Sequence, residues 1–182
     1  GHGIQAALMT MLIKSEYEKL KAIVQQPNKV LQILNDEIIY TYKSLTMIFS
    51  AVVLDIDLTS DKIVYSSAGH PDQLLINSDL TVSGFTSGGK LIGLMEKIEY
   101  DQGEMPFNRG DSILLFTDGI YEEFNAEREE YGFNRFEQHV KEQAGAGKPV
   151  SEVIDSSISV VEEFTGDEQV NDDTTMLGIT RV

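Results

Sequence analysis

Ile113-Leu114-Leu115-Phe116 is an unbroken apolar run that stops at Thr117-Asp118-Gly119. A short apolar run closed by a turn signal reads as a strand, and 111–116 is the firmest strand in the chain. The sequence before it supplies partners. Residues 47–57 carry apolar side chains at both parities, which predicts a strand covered on both faces. Thr59-Ser60-Asp61 turns the chain into a strand over 62–67, and Asn77-Ser78-Asp79 joins strands over 73–76 and 80–85. Thr86-Ser87-Gly88-Gly89 reads as a flexible loop, 98–107 as a further strand, and 174–182 as the last.

Helical periodicity flanks these strands. Ile4, Ala7, Leu8, Met11 and Leu12 follow an i, i+3, i+4, i+7, i+8 pattern, which predicts an amphipathic helix from residue 4 to about 24. Pro27 marks its break. Asn28 is a plausible N-cap for a second helix that faces the core with Val30, Leu34 and Ile38. Later helices are predicted over 134–144 and 151–165, the last capped by Ser151 with Ile154, Ile158 and Val161 on one face. Helix pair, strands, helix pair and strand together predict an α+β layered fold, with sheet faces covered by helices.

Composition narrows the chemistry. A chain of 182 residues with 41% apolar content can bury one sizeable core. No run approaches the roughly 18 apolar residues of a membrane-spanning helix. Thirty acidic residues against fourteen basic leave a net charge of −16, which disfavours nucleic acid and anionic membrane as partners. There is no cysteine. Any metal must therefore rest on oxygen or imidazole, and oxygen ligands favour hard ions such as Mg²⁺ or Mn²⁺.

Asp118 follows an apolar strand, and Asp172-Asp173 precede the final one. Acids at strand ends sit on rigid elements beside an open edge, where a metal can be held with room for substrate. Two divalent ions about 3.5–4 Å apart could activate a water for attack on phosphorus. Each turn alone also has an ordinary reading. Asp-Gly after a strand is a common turn, and paired aspartates can simply bound a strand or cap a helix. The combination carries the metal reading.

Five stretches, taken in order, carry a resemblance. They are Gly1-His2-Gly3-Ile4-Gln5-Ala6-Ala7, Ser67-Ala68-Gly69-His70-Pro71, Leu91-Ile92-Gly93-Leu94, Phe116-Thr117-Asp118-Gly119-Ile120-Tyr121-Glu122 and Asp172-Asp173-Thr174-Thr175. With them the chain resembles the metal-dependent PPM (PP2C-type) serine/threonine phosphatases. Within these it resembles the bacterial branch of the sporulation stage II and stress-response partner-switching phosphatases. The resemblance implies a layered α-β-β-α sandwich of mainly antiparallel sheets covered by helix pairs.

It also implies Asp118 and Asp172 as ligands of a two-metal Mn²⁺ or Mg²⁺ centre. Asp173 would join them at the metal site, supporting it from behind, and Gly119 would allow close backbone approach. An aspartate just before Gly1-His2-Gly3 would bridge both ions, and the next residue's carbonyl would be a ligand. One or more further strands, roughly 40–50 residues of a domain of typical size, would come earlier still. On this reading residues 1–182 are a PPM-type domain lacking its N-terminal part, with an incomplete centre.

The histidines take supporting roles. His2 stabilises the start of the first helix, His70 fixes the turn of Ala68-Gly69-His70-Pro71, and His139 is solvated on an acidic helix. Ser66, Ser67, Ser87 and Thr117 lack the pattern of an activated nucleophile, so no catalytic side chain is assigned. Gly145-Ala146-Gly147-Lys148-Pro149 lacks phosphate-loop spacing. Glu122, Glu123, Glu127, Glu129 and Glu130 read as a solvated acidic face.

The implied reaction is hydrolysis of phosphoserine or phosphothreonine on a regulatory protein of the anti-sigma-factor-antagonist type, by a metal-bridging hydroxide. It implies a cytoplasmic protein with no nucleic-acid partner and no membrane contact by this domain. The front helices allow a homodimer. Two alternatives stand: a catalytically silent regulatory or scaffolding module, and an unrelated α+β binding domain.

Overall fold

The computed structural model describes residues 4–42, 47–166 and 172–182, with side chains from Ala7 onward. His2 and Asn171 lie outside the described residues. The chain forms two compact units. One contains the described residues up to His70 together with Thr86–Pro106; the other contains Pro71–Phe85 and Phe107–Val182.

The first unit holds helices α1 (Ile4–Lys21) and α2 (Pro27–Tyr42) and strands β1 (Ala51–Asp57), β2 (Lys62–Ala68) and β5 (Gly103–Pro106). The strands form an antiparallel sheet in the order β1-β2-β5, with Ala51 opposite Ala68 and Asp57 opposite Lys62. Helix α2 packs on β1 and β2 through Val30, Leu31, Leu34 and Ile38, all buried. Pro27 begins this helix. Its fixed φ and missing N–H suit the first helical position, and Asn28 lies inside the helix, not at its cap.

Helix α1 forms where expected but faces the core with a different stripe. Met9, Ile13, Tyr17 and Leu20 pack inward, whereas Leu8 and Met11 are 56% and 69% exposed. The stripe that includes Leu8 and Met11 gives way to Ser15, Glu16 and Lys19, so only the other stays apolar to the helix end.

Strand β5 is shorter than expected, because Ile98 and Tyr100 are buried in the loop ahead of it. The strand starts at Gly103, where an added Cβ would lie 2.2 Å from the Tyr65 ring. That loop is pinned to α2 by Asn35, fully buried, which accepts the Gly93 amide and donates to the Met95 carbonyl, both at 3.0 Å. Gly93 has φ +83°, and a Cβ there would sit 1.8 Å from the Met47 carbonyl oxygen.

The second unit holds β3 (Gln73–Ile76), β4 (Val82–Phe85), β6 (Ser112–Phe116), α3 (Phe133–Gly145), α4 (Val150–Thr165) and β7 (Met176–Thr180). Its antiparallel sheet has the order β4-β3-β6-β7. The expected apolar run is the central strand β6, between β3 and β7. Leu74, Ile76, Leu114 and Phe116 form a core with Phe136, Val140, Val153 and Val161 of the two helices. Gly178 of β7 brings α4 close: a Cβ would lie 2.9 Å from the Val150 methyls.

Helix α4 buries Val153, Ser157, Val161 and Thr165. The expected stripe through Ile154 and Ile158 is rotated, and Ile158 is 37% exposed. Ser157 tolerates burial because its hydroxyl donates to the Val153 carbonyl at 2.7 Å, which apolar periodicity could not register. Pro149 is the N-cap, and Ser151 lies within the helix.

His139 is half-buried, not solvated, with Nε2 3.1 Å from Ser156 Oγ of α4. Burial lowers its pKa below the ordinary imidazole value; Glu142 opposes the shift and Lys148 adds to it. Because the folded state disfavours the protonated ring, this stability is present above the unfolded pKa of about 6.5 and is lost as pH falls below it. The urea midpoint is expected to drop between about pH 7 and pH 5.5, and His139→Gln to flatten that slope. Equal slopes in parent and variant would refute the assignment.

Candidate functional site

Strand β6 ends at Phe116 directly opposite Met176, the first residue of β7. Both acidic turns therefore leave the same end of adjacent strands. Beyond the sheet, Thr117 N donates to the Thr175 carbonyl at 3.0 Å. The Thr175 amide donates to Thr117 Oγ1 at 3.0 Å, and that hydroxyl donates to the Asp173 carbonyl at 3.3 Å. From the opposite turn, Thr174 Oγ1 donates to the Gly119 carbonyl at 3.0 Å.

The chain then closes a short 3-10 turn over Asp118–Ile120. The Asp118 carbonyl accepts both the Tyr121 and Glu122 amides at 2.9 Å. Gly119 is buried, and a Cβ would stand 2.8 Å from the Asp173 carbonyl oxygen. No other residue fits this approach without displacing the facing turn. Asp118 is half-buried, while Asp172 and Asp173 are exposed. The Asp172 carboxylate accepts the Asp173 amide at 2.8 Å.

The site is electrostatically one-sided. Partial burial raises the Glu122 pKa, and Asp118, Glu130 and Asp172 push it further up. The Tyr121 phenol rises to about 12, through burial first and then through Asp118, Glu122, Asp72 and Glu130. One side chain, Glu122, thus feels acids from both turns. Among the described residues no Lys, Arg or His forms an ion pair with Asp118, Asp172 or Asp173. Glu123, expected on the solvated face, instead turns inward and is 3% exposed.

The donors suit a hard cation: all are oxygens, on a turn too tight for a side chain at Gly119, in uncompensated negative surroundings. Among the described residues no group of three or more His, Cys, Asp or Glu is placed to hold a metal ion. That count still fits Mg²⁺-type binding, in which one or two carboxylates hold an ion that keeps several waters.

Gln73 and the threonines are the residues that sequence reasoning passed over. Gln73, at the head of β3, is 1% exposed. Its Oε1 accepts the Phe116 amide at 2.7 Å, and its Nε2 donates to the carbonyls of Phe116 at 3.2 Å and Pro71 at 2.9 Å. It therefore grips the backbone two residues before Asp118. The available signal was a lone polar residue opening Gln73-Leu74-Leu75-Ile76.

His70 belongs to the first unit, where its Nδ1 lies 3.0 Å from Ser50 Oγ. Its amide donates to Ser67 Oγ at 3.3 Å, and that hydroxyl donates back to the His70 carbonyl at 3.2 Å. These bonds fix its own loop, next to Gly69, which has φ +65°.

A family model described as Stage II sporulation protein E (SpoIIE) matches residues 1–182. The chain is similar to the phosphoserine phosphatase RsbU of Bacillus subtilis (strain 168), with 27% identity over 189 residues, covering 100% of this chain and 53% of the relative. It spans about half or less of the length of the curated relatives it matches. The SiaA-PP2C domain of Pseudomonas aeruginosa superposes with a TM-score of 0.84 at 22% identity, covering 99% of this chain and 72% of that one. The phosphatase domain of the cell fate determinant SpoIIE from Bacillus subtilis, a Mn-presoaked structure, gives 0.60 at 16% identity, over 93% and 73%. The fold is the α+β, PP2C-like arrangement of antiparallel sheets and helices expected from the sequence.

Proposed function

We propose a function from the premise that this chain belongs to the Stage II sporulation protein E (SpoIIE) family: metal-dependent hydrolysis of phosphoserine or phosphothreonine on a regulatory protein. The observation that carries it is the joining of two acidic turns whose bonded residues, Gly119 and Thr174, lie 55 apart in sequence. Asp118 and Asp172 would hold Mn²⁺ or Mg²⁺ through carboxylate oxygens, with Asp173 supporting from the same turn. When bound, the ion would neutralise phosphoryl oxygens and activate water.

The protein's own part is positional. Gly119 lets the two backbones meet, Gln73 fixes the strand end, and the threonine hydroxyls close the rim. The Thr117 hydroxyl is committed to Thr175 and Asp173, so it is no free nucleophile. Water would attack phosphorus directly, with no phosphoenzyme.

The relative named a phosphoserine phosphatase supports the substrate class, and a phosphorylated anti-sigma-factor antagonist is the partner type we favour. We place the activity in the cytoplasm; among the described residues no helix is long and apolar enough to cross a membrane. A homodimer has one structural support, the exposed Leu8 and Met11 of α1.

The test is phosphate release from a phosphoserine peptide by the full-length protein. Chelation by EDTA is expected to lower turnover by about 10²-fold or more, and Mn²⁺ or Mg²⁺ to restore it. Turnover indifferent to chelation would overturn the metal mechanism. Metal binding without turnover would leave the partner-binding module raised by the sequence.

A further inference from the structure

We propose that Thr117 and Thr174 are positioning residues whose crossed hydroxyl bonds set the metal affinity of the acidic rim. This rests on the functional reading above. Strand pairing stops at Phe116 and Met176, and among the described residues one backbone bond, Thr117 N to the Thr175 carbonyl, continues it. Past that point the hydroxyls take over. Thr117 reaches across to the turn of Asp173, and Thr174 reaches back to the turn of Asp118. Each side chain comes from one acidic turn and grips the backbone of the other.

The two bonds constrain the carboxylates more than they stabilise the fold. Asp173 and Thr175 are exposed, so the Asp173 carbonyl and the Thr175 amide can turn to water if the Thr117 hydroxyl is lost, at small cost, whereas the carbonyl of buried Gly119 loses more with Thr174. The geometric cost is larger. A binding constellation must be held to within about 0.5 Å, and loss of the groups that orient metal ligands typically weakens metal affinity 10–100-fold. Gly119 shows how little slack exists, since its backbone already lies against the Asp173 carbonyl.

The experiment is calorimetric titration of Mn²⁺ into the full-length protein, with urea unfolding run in parallel. Thr117→Val and Thr174→Val, near-isosteric and without the hydroxyl, are each expected to weaken Mn²⁺ binding about 10–100-fold. Thr117→Ser and Thr174→Ser should stay within a few-fold of the parent. The urea midpoint should barely move for Thr117→Val and fall modestly for Thr174→Val, whose acceptor is on buried Gly119. Because the bonds act as one clasp, the double valine variant should lose less than the two single losses combined.

Valine variants that bind Mn²⁺ as tightly as the parent would overturn this inference alone. A parent that binds no Mn²⁺ would overturn the functional reading and this inference with it. Should Thr117→Val lose its fold, Thr174→Val, on the exposed side, decides the matter.

Discussion

Asp118→Asn is expected to lower phosphoserine-peptide turnover by at least about 10²-fold while leaving the chain as stable as before, or more so. The asparagine keeps the size and one oxygen but removes the charge that would hold a divalent ion. The local fold does not need that carboxylate. The 3-10 turn is closed by the Asp118 backbone carbonyl, which accepts the Tyr121 and Glu122 amides, and both bonds survive the substitution. The charge lies against others of its own sign, because Asp118 helps to raise the Glu122 pKa. Removing it relieves repulsion, as is common where stability is given up for activity. The measurement pairs phosphate release with thermal unfolding. Undiminished turnover would end the assignment of Asp118; lost turnover with a collapsed fold would mark the residue as structural.

Phe136→Ala carries the largest expected loss of stability, about 3–5 kcal/mol. The side chain is fully buried, with its ring centroid 4.7 Å from that of Phe116, edge to face, and 6.2 Å from that of Tyr121. Truncation removes its burial and leaves a cavity against the end of β6, which a rigid sheet cannot close. Against a typical total of about 5–15 kcal/mol, that is a large fraction. Thermal unfolding should fall by roughly 6–20 °C. Gln138→Ala, two positions along on the exposed side of α3, should move it little. Comparable shifts in the two variants would show that the aromatic cluster is not the core of this unit.

Much of this architecture was legible where local chemistry and tertiary demand agree. Gln73–Ile76 is an apolar strand between turn signals, and it forms over the expected residues. Elements went astray where packing chose among local options. Helix α1 carries two apolar stripes in its first half, and only the length of one decided the buried face. Helix α4 buried Ser157 because the hydroxyl satisfies itself on the preceding turn, an exchange invisible to an apolar count.

The candidate site divides in the same way. Its acids stand out as residue types at strand ends, so Asp118, Asp172 and Asp173 could be picked from sequence. Their juxtaposition could not, since it follows from β6 and β7 being neighbours across many intervening residues. Gln73 was hidden for a related reason: a buried glutamine matters only once the backbone it grips is in place.

The units interleave along the chain: the β3–β4 hairpin interrupts the first, and β5 returns to complete it. Neither can therefore finish folding as an independent stretch emerging from the ribosome. Strand β2 must wait for β5 while the intervening hairpin waits in turn for β6, and such distant closures are slow. A nascent chain released at residue 100 would own neither sheet in full, which makes assembly a late and cooperative event.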